Sequence, residues 1–468
     1  MRQSNRYRRF LRLLTGIVVV TLILSACGPA SPPPTPTPTK TPTVAATNTP
    51  LPPTATPVPP TATQAPVTAT PTAGTGATVT PAPNQATVTP APVKPTATPP
   101  PAGGDSSRGF KSPDFGVQAF LWWRPEIADR DLGLVEAAGF TWVKQNFPWR
   151  EIEGAGKGQF DWSVTDRIVQ QAIEHNLKLI VRVDSQPKWA GGGFPCNGPP
   201  DNYKDFEDFL SAVAKRYTWK IQAYQIWNEP NLNRPDGGGE WGCRPPNATE
   251  YVRLLKSAYA GVKKGAPLAL VISAGLTPTG SCCDIAIPDD KYLEQMYQAM
   301  GGNSAGYFDV LGVHAAGFRA APSIGPDEAA GNKAEYGGER FFTFRRVEDL
   351  RKIMVKYGDT NKRVAVLEFG WSTDSRPDSP YHWHAVTEEQ QGDYLVQAFE
   401  WAKTHWQPWI GLMVVVYMPD VDWTEAQEQY WWSIMKPSQI DELHWRPAYA
   451  KLRIYIRQQR GLAPNWPP

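Results

Sequence analysis

Two glutamates stand where apolar runs stop. In Ile226-Trp227-Asn228-Glu229-Pro230-Asn231 and in Val366-Leu367-Glu368-Phe369-Gly370-Trp371, an acidic side chain follows directly on a β-rich apolar stretch. An ionised carboxyl at such a place is costly to bury without a partner. Two of them facing one pocket have a definite chemical use. Cleavage of a glycosidic bond needs one carboxyl as proton donor and a second as nucleophile or base. Indoles stack on the apolar faces of sugars, and Trp122, Trp149, Trp189, Trp371, Trp431 and Trp432 fall near the same run ends. Trp149, Trp189 and Trp371 are the favoured candidates, with Asp184 and Gln186 placed to reach hydroxyls. The ordinary alternatives are core packing for each Trp and rim salt bridges for the two glutamates.

The elements that must position these residues repeat along the chain. From Phe115 onward, β-rich runs at 116–121, 141–146, 179–184, 221–227, 268–274, 309–314, 363–368 and 410–417 alternate with helical patterns. The helices are expected at 127–138, 163–175, 204–217, 248–264, 290–300, 342–357, 388–405 and 445–458. Eight strands, each followed by a helix, predict an α/β fold of the (β/α)8 TIM barrel kind. An open doubly wound sheet is the competitor, but no Gly-rich phosphate turn follows the first strand, so no nucleotide cofactor is expected. Helix-to-strand connections are short. Strand-to-helix connections at 185–203, 228–247, 315–341 and 418–444 are long, and in a barrel those share one face, where active sites form. Asn247-Ala248-Thr249 matches a glycosylation acceptor, but Asn247 with Glu250 also reads as a helix cap with its capping-box partner.

Composition divides the chain. Of 48 prolines, about half precede residue 105, whereas all 19 tryptophans follow residue 120, so only the later part can bury a core. Arg2, Arg6, Arg8, Arg9 and Arg12 precede an apolar run, Leu13 to Leu24, which is too short to span a bilayer comfortably and reads as an export signal. It ends in Leu24-Ser25-Ala26-Cys27, which resembles the bacterial lipobox; that resemblance implies lipidation of Cys27 and attachment to the outer face of the cell membrane. From Gly28 to about Gly104 the chain is mostly Pro, Thr, Ala and Val, with almost no charge and with ATVTPAP at 77–83 and again at 86–92. This is a disordered stalk favouring polyproline II. The expected organisation is a signal peptide at 1–26, the lipidated Cys and linker at 27–108, and one catalytic domain at 109–468. Four cysteines remain, and an even number in an exported chain suggests disulfides. Cys196–Cys243 is the favoured pair, with Cys282 and Cys283 bonded to each other or free. No spacing fits a zinc site, so no metal is expected. A net charge of +2 argues against nucleic acid as a partner. A monomer is expected.

With Trp227-Asn228-Glu229-Pro230 at the fourth strand end and Glu368 at the seventh, residues 110–460 resemble clan A of the glycoside hydrolases, nearest to families 39 and 5. The resemblance implies a retaining double displacement on the β-glycosidic bonds of an extracellular oligo- or polysaccharide. Glu368 is then the nucleophile, and Glu229 the acid/base with a pKa raised to roughly 6. Asn228 would hydrogen-bond the sugar 2-hydroxyl. Three positions depart from the clan pattern. Lys144 is the nearest basic residue where family 5 has Arg on strand two. His314-Ala315-Ala316 keeps the strand-six His but lacks the Tyr. Val416-Tyr417-Met418 stands where a Trp often closes strand eight, so Tyr417 takes over one of those roles. Lys144, His314 and Tyr417 are thus candidate substrate contacts, and a packed core histidine is the alternative for His314. Two other functions share this sequence pattern: glycosyl transfer by the same carboxyls, and a silent carbohydrate-binding lipoprotein.

Overall fold

The computed structural model describes residues 110–192, 198–233, 240–280, 284–438 and 443–464. The expected signal peptide, Cys27, the linker, Cys196, Cys282 and Cys283 lie outside the described residues. Strands β1 (Asp114–Gln118), β2 (Trp142–Pro148), β3 (Lys178–Asp184), β4 (Ala223–Ile226), β5 (Leu270–Ser273), β6 (Val310–Ala316), β7 (Arg363–Gly370) and β8 (Ile410–Val415) close into a parallel barrel. β8 pairs back onto β1, Asp114 opposite Leu412. Eight outer helices follow in turn: α1 (Pro125–Ala138), α2 (Ser163–Glu174), α3 (Tyr203–Arg216), α4 (Ala248–Gly265), α5 (Asp289–Ala299), α6 (Arg346–Lys356), α7 (Glu388–His405) and α8 (Pro447–Gln459). The barrel expected from the alternation is the observed fold. α6 begins four residues later than the helical pattern suggested, because Phe341, Phe342 and Phe344 pack as loop aromatics rather than as a first turn. Asn247 caps α4 by accepting from Glu250 N–H at 3.1 Å, while the Glu250 side chain faces Arg244 at 3.9 Å.

Strand side chains alternate between two faces, and this period builds two cores. Val117, Val143, Val181, Ile226, Val271, Leu311, Val366 and Met413 face the helices. Trp142, Ile180, Ala223, Ile272, Val310, Ala365, Leu367, Leu412 and Val414 fill the barrel. One rung higher on the inward face, the residue type changes. Gln118, Lys144, Arg182 and Gln225, each two positions after an inward residue, are buried and polar. The apolar plug thus supports a polar floor at the C-terminal ends of the strands.

β7 obeys this alternation only in part. Ala365 and Leu367 point inward, so strict alternation would turn Glu368 outward among the helices. The β6–β7 register slips instead: Val313 pairs with Val366, but His314 pairs with Glu368. A one-residue bulge re-aims the following side chain, and Glu368 points into the barrel.

Two of the long loops carry their own structure. Residues 315–341 contain short helices Pro326–Gly331 and Lys333–Tyr336, and 418–444 contains a helix at Glu428–Trp432. The short strands Met435–Lys436 and His444–Trp445 pair antiparallel.

Candidate active site

Glu229 leaves β4 on a tight turn. Trp227 (φ 69°) and Glu229 (φ 38°) both lie in the left-handed region, which non-glycine residues seldom adopt and which costs on the order of 1 kcal/mol each. Backbone bonds hold the turn. Glu229 N–H donates to Gly275 O at 3.1 Å, and Leu232 N–H donates to Glu229 O at 3.0 Å. The Trp227 indole donates to Glu240 O at 2.8 Å.

His314, on β6, stands between the two glutamates. Its Nδ1 is 2.7 Å from Glu229 Oε1 and its Nε2 is 3.8 Å from Glu368 Oε1. Two acceptors do not approach to 2.7 Å unless a proton lies between them, so the Glu229–His314 pair shares one. Residue 275 must be glycine for the ring to sit there, since a Cβ would fall 2.0 Å from His314 Cδ2. One carboxylate oxygen from each glutamate and one His314 nitrogen lie within 4.8 Å of one another.

Lys144 supplies the buried cation. Its Nζ is 2.8 Å from Glu368 Oε1 and also donates to Leu367 O at 3.1 Å. Burial raises the Glu368 carboxyl, but the positive fields of His314, Lys144 and Arg182 outweigh it and hold the group well below the usual carboxylate range. Lys144 moves down, because desolvation opposes its charge more than Glu368 favours it. The ion pair stands on its geometry, with two acceptors for one ammonium. The spacing of Glu229, His314 and Glu368 would suit a cation by distance alone. Lys144 already occupies Glu368, and like charges would repel.

These groups line a cleft of about 510 Å³ that includes open solvent, with Tyr417, Glu428 and Trp432 on one wall and Thr277 and Pro278 on another. Tyr417, Lys144 and His314 are therefore gathered around Glu229 and Glu368. Asn228 lies beside Glu229 but is 2% exposed, its Oδ1 accepting from Gln225 Nε2 at 3.3 Å. Other candidates go elsewhere. Asp184 is paired with Arg182 at 2.8 Å and accepts from Ser185 Oγ at 2.8 Å, so its oxygens serve the floor of the barrel. Trp149 and Trp371 are both 0% exposed and offer no face to a sugar. Trp149 stacks on Phe209 at 5.2 Å, and the Trp371 indole donates to Ala320 O at 2.9 Å. Trp189 is half-buried with its edge on Trp149, donating to Glu153 O at 2.6 Å, and it does not line the cleft. Cys243 is disulfide-bonded, and its expected partner, Cys196, is outside the described residues.

Residues 105–298 match the family model of cellulase, glycosyl hydrolase family 5, a stretch that contains Glu229 and ends before Glu368. A β-xylosidase of Geobacillus stearothermophilus is 27% identical over 134 residues, covering 25% of this chain and 25% of that protein. Over these stretches the barrel is similar to glycoside hydrolases of family 5 and to a β-xylosidase. The chain thus spans about a quarter of the length of the curated relative it matches. In fold, the barrel is similar to a family 39 glycoside hydrolase from Bacteroides cellulosilyticus, with TM-score 0.51 at 17% identity over 75% of this chain and 64% of that one. It is also similar to a glucosidase from Croceicoccus marinus, with TM-score 0.50 at 11% identity over 74% and 68%.

Sequence reasoning missed Arg182 and Glu428, and named Trp432 without favouring it. Arg182 lies under both glutamates, and Asp184, Glu240 and Glu368 sustain its charge against burial. Its signal was the inward rung shared with Lys144. Glu428 and Trp432 come from the short helix in the last long loop, which has no motif. The Glu428 carboxyl accepts from Trp432 Nε1 at 3.0 Å and is hydrogen-bonded by Tyr381. The residue is half-buried, yet its Oε2 is closed off from water, and burial pushes the carboxyl up to about 8.

Proposed function

We propose that this chain is a retaining β-glycoside hydrolase acting on an extracellular oligo- or polysaccharide. The observation that carries the reading is the approach of Glu229 and Glu368 to within 4.8 Å across one cleft. Retaining enzymes hold their carboxyls about 5–5.5 Å apart, and inverting enzymes leave about 6.5–9.5 Å for a water. Glu368, kept ionised by Lys144, His314 and Arg182, attacks the anomeric carbon as the bond to the leaving oxygen breaks. Glu229 gives its proton to that oxygen. In the second half, the Glu229 carboxylate takes a proton from water, whose oxygen displaces Glu368 and restores the anomeric configuration. His314 positions Glu229 through the hydrogen bond at 2.7 Å, and Trp432 and Tyr417 present aromatic surface to the sugar. The β-xylosidase likeness supports a β-linked substrate.

We further propose that the lipobox-like Leu24-Ser25-Ala26-Cys27 makes Cys27 a lipid anchor on the outer face of the cell membrane, and that Cys196 bonds Cys243. The catalytic test is product configuration. NMR of fresh product from an aryl β-glycoside should show the β-anomer first. Glu368→Ala with azide should give the α-glycosyl azide, and Glu229→Ala with azide the β-glycosyl azide. The α-anomer as first product would overturn retention. Sugar binding without turnover on any glycan would favour a silent binder.

A further inference from the structure

The cleft occupies one end of the barrel, and the opposite end carries a surface with no assigned use. Trp219, in the α3–β4 connection, is 51% exposed, and Leu268, in the α4–β5 connection, is 49% exposed. They are the two most exposed large apolar side chains among the described residues. Their loops are tied together: Thr218 Oγ1 donates to Gly265 O at 3.1 Å and Leu270 N–H to Gln222 O at 2.9 Å. Trp219 also has φ 69°, a left-handed conformation that suits Gly or Asn and disfavours a bulky residue. The turn therefore bears a conformational cost to carry an indole that water then surrounds. Among the described residues no packing contact covers the exposed half of the indole, and an outlier of this kind points to an external partner.

The charge around the pair narrows that partner. Residues 214–224 contain Lys215, Arg216 and Lys220, residues 263–273 contain Lys263 and Lys264, and neither stretch contains an acid. Arg216 pairs with Asp166 and Lys263 with Asp309, while Lys215, Lys220 and Lys264 make no ion pair among the described residues. Two apolar side chains are too small a core for a stable protein interface. An indole and a leucine framed by lysines do match what inserts at the headgroup level of an anionic bilayer. The chain also enters the barrel from this end, because Phe110 packs at 5.0 Å on Trp142, the first residue of β2. An anchor preceding Phe110 would hold this end at high local concentration near the membrane.

We propose that the Trp219–Leu268 patch docks on an anionic phospholipid surface, so that the cleft at the other end of the barrel opens away from the bilayer. The proposal is independent of the catalytic reading. The test is amide hydrogen exchange on the full chain reconstituted in phosphatidylcholine vesicles with and without phosphatidylglycerol. Exchange across 215–222 and 263–270 should slow at least about ten-fold with phosphatidylglycerol at low salt, and the slowing should vanish at high salt. A Trp219→Ser, Lys220→Glu double variant should lose the slowing and keep its thermal midpoint. Equal exchange on both vesicles would overturn the proposal, as would equal protection on phosphatidylcholine alone. Protection in detergent that grows with protein concentration would overturn it too, by assigning the patch to a second copy of the chain.

Discussion

Removing the cation beside Glu368 tests the electrostatics most directly. In Lys144→Met, a side chain of similar length fills the space and the charge 2.8 Å from Glu368 Oε1 is gone. At that distance two unit charges interact by about 1.5 kcal/mol if screened as in bulk water, and by about 6 kcal/mol at an effective dielectric near 20. The first figure corresponds to about one pH unit. Single opposite charges in proteins move a carboxyl by about 1–3 units. Arg182 and His314 remain, so part of the depression survives. The acidic limb of kcat/KM on an aryl β-glycoside should rise by about 1–3 pH units. Lys144→Arg should keep the limb near its wild-type position. Circular dichroism and thermal melts establish that each variant is folded. A folded Lys144→Met enzyme with an unmoved or lowered acidic limb would refute the reasoning, and a lower plateau without a shift would assign Lys144 to positioning alone.

Gly275→Ala places a methyl 2.0 Å from His314 Cδ2, so the ring must leave Glu229. A displacement near 1 Å at a catalytic group costs about a hundred-fold in rate, and a kcat/KM within a few-fold of wild type would contradict the packing. Trp149→Ala should destabilise by about 3–5 kcal/mol in denaturant titration and leave KM unchanged, since Trp149 touches no cleft. Trp432→Ala, at the cleft wall, should raise KM roughly two- to thirteen-fold for a loss of about 0.5–1.5 kcal/mol of stacking. Glu428 has a folded pKa of about 8, above the unfolded carboxyl near 4.3. Its protonated form is the one the fold favours, so the folded state holds more protons between those values and stability falls as pH rises through that window. The slope is about 1.4 kcal/mol per pH unit for one retained proton, and Glu428→Gln should flatten it in unfolding curves taken at successive pH values.

The chemistry of the site separates into a part carried by three barrel strands and a part carried by one long loop. Lys144, Arg182 and His314 stand on β2, β3 and β6 and hold Glu368 well below the usual carboxylate range. Tyr417, Glu428 and Trp432 come from the end of β8 and the loop behind it, and shape the wall that meets the sugar. The first group rests on rigid elements with buried neighbours, so its geometry resists change in the surrounding sequence. The second group sits where barrels vary their loops, and substrate choice is expected to follow substitutions there.

The sequence by itself determined the barrel and the two glutamates. Alternating β-rich and helical runs are local patterns, and a carboxyl at the end of an apolar strand needs no partner to be noticed. The orientation of Glu368 was not local. It depends on a one-residue slip between β6 and β7, which the residues of β7 alone do not encode. The same holds for the indoles. Trp149 and Trp371 adjoin strand ends as Trp432 adjoins a helix, but only long-range packing decides that Phe209 covers the first, that the second donates to Ala320, and that the third is left to line the cleft. Glu428 reaches the site from a loop 60 residues beyond Glu368, through folding of a chain segment whose sequence carries no periodic signal. Periodicity places elements, whereas burial and hydrogen-bond partners are properties of pairs distant in sequence, and those pairs exist only once the barrel has closed.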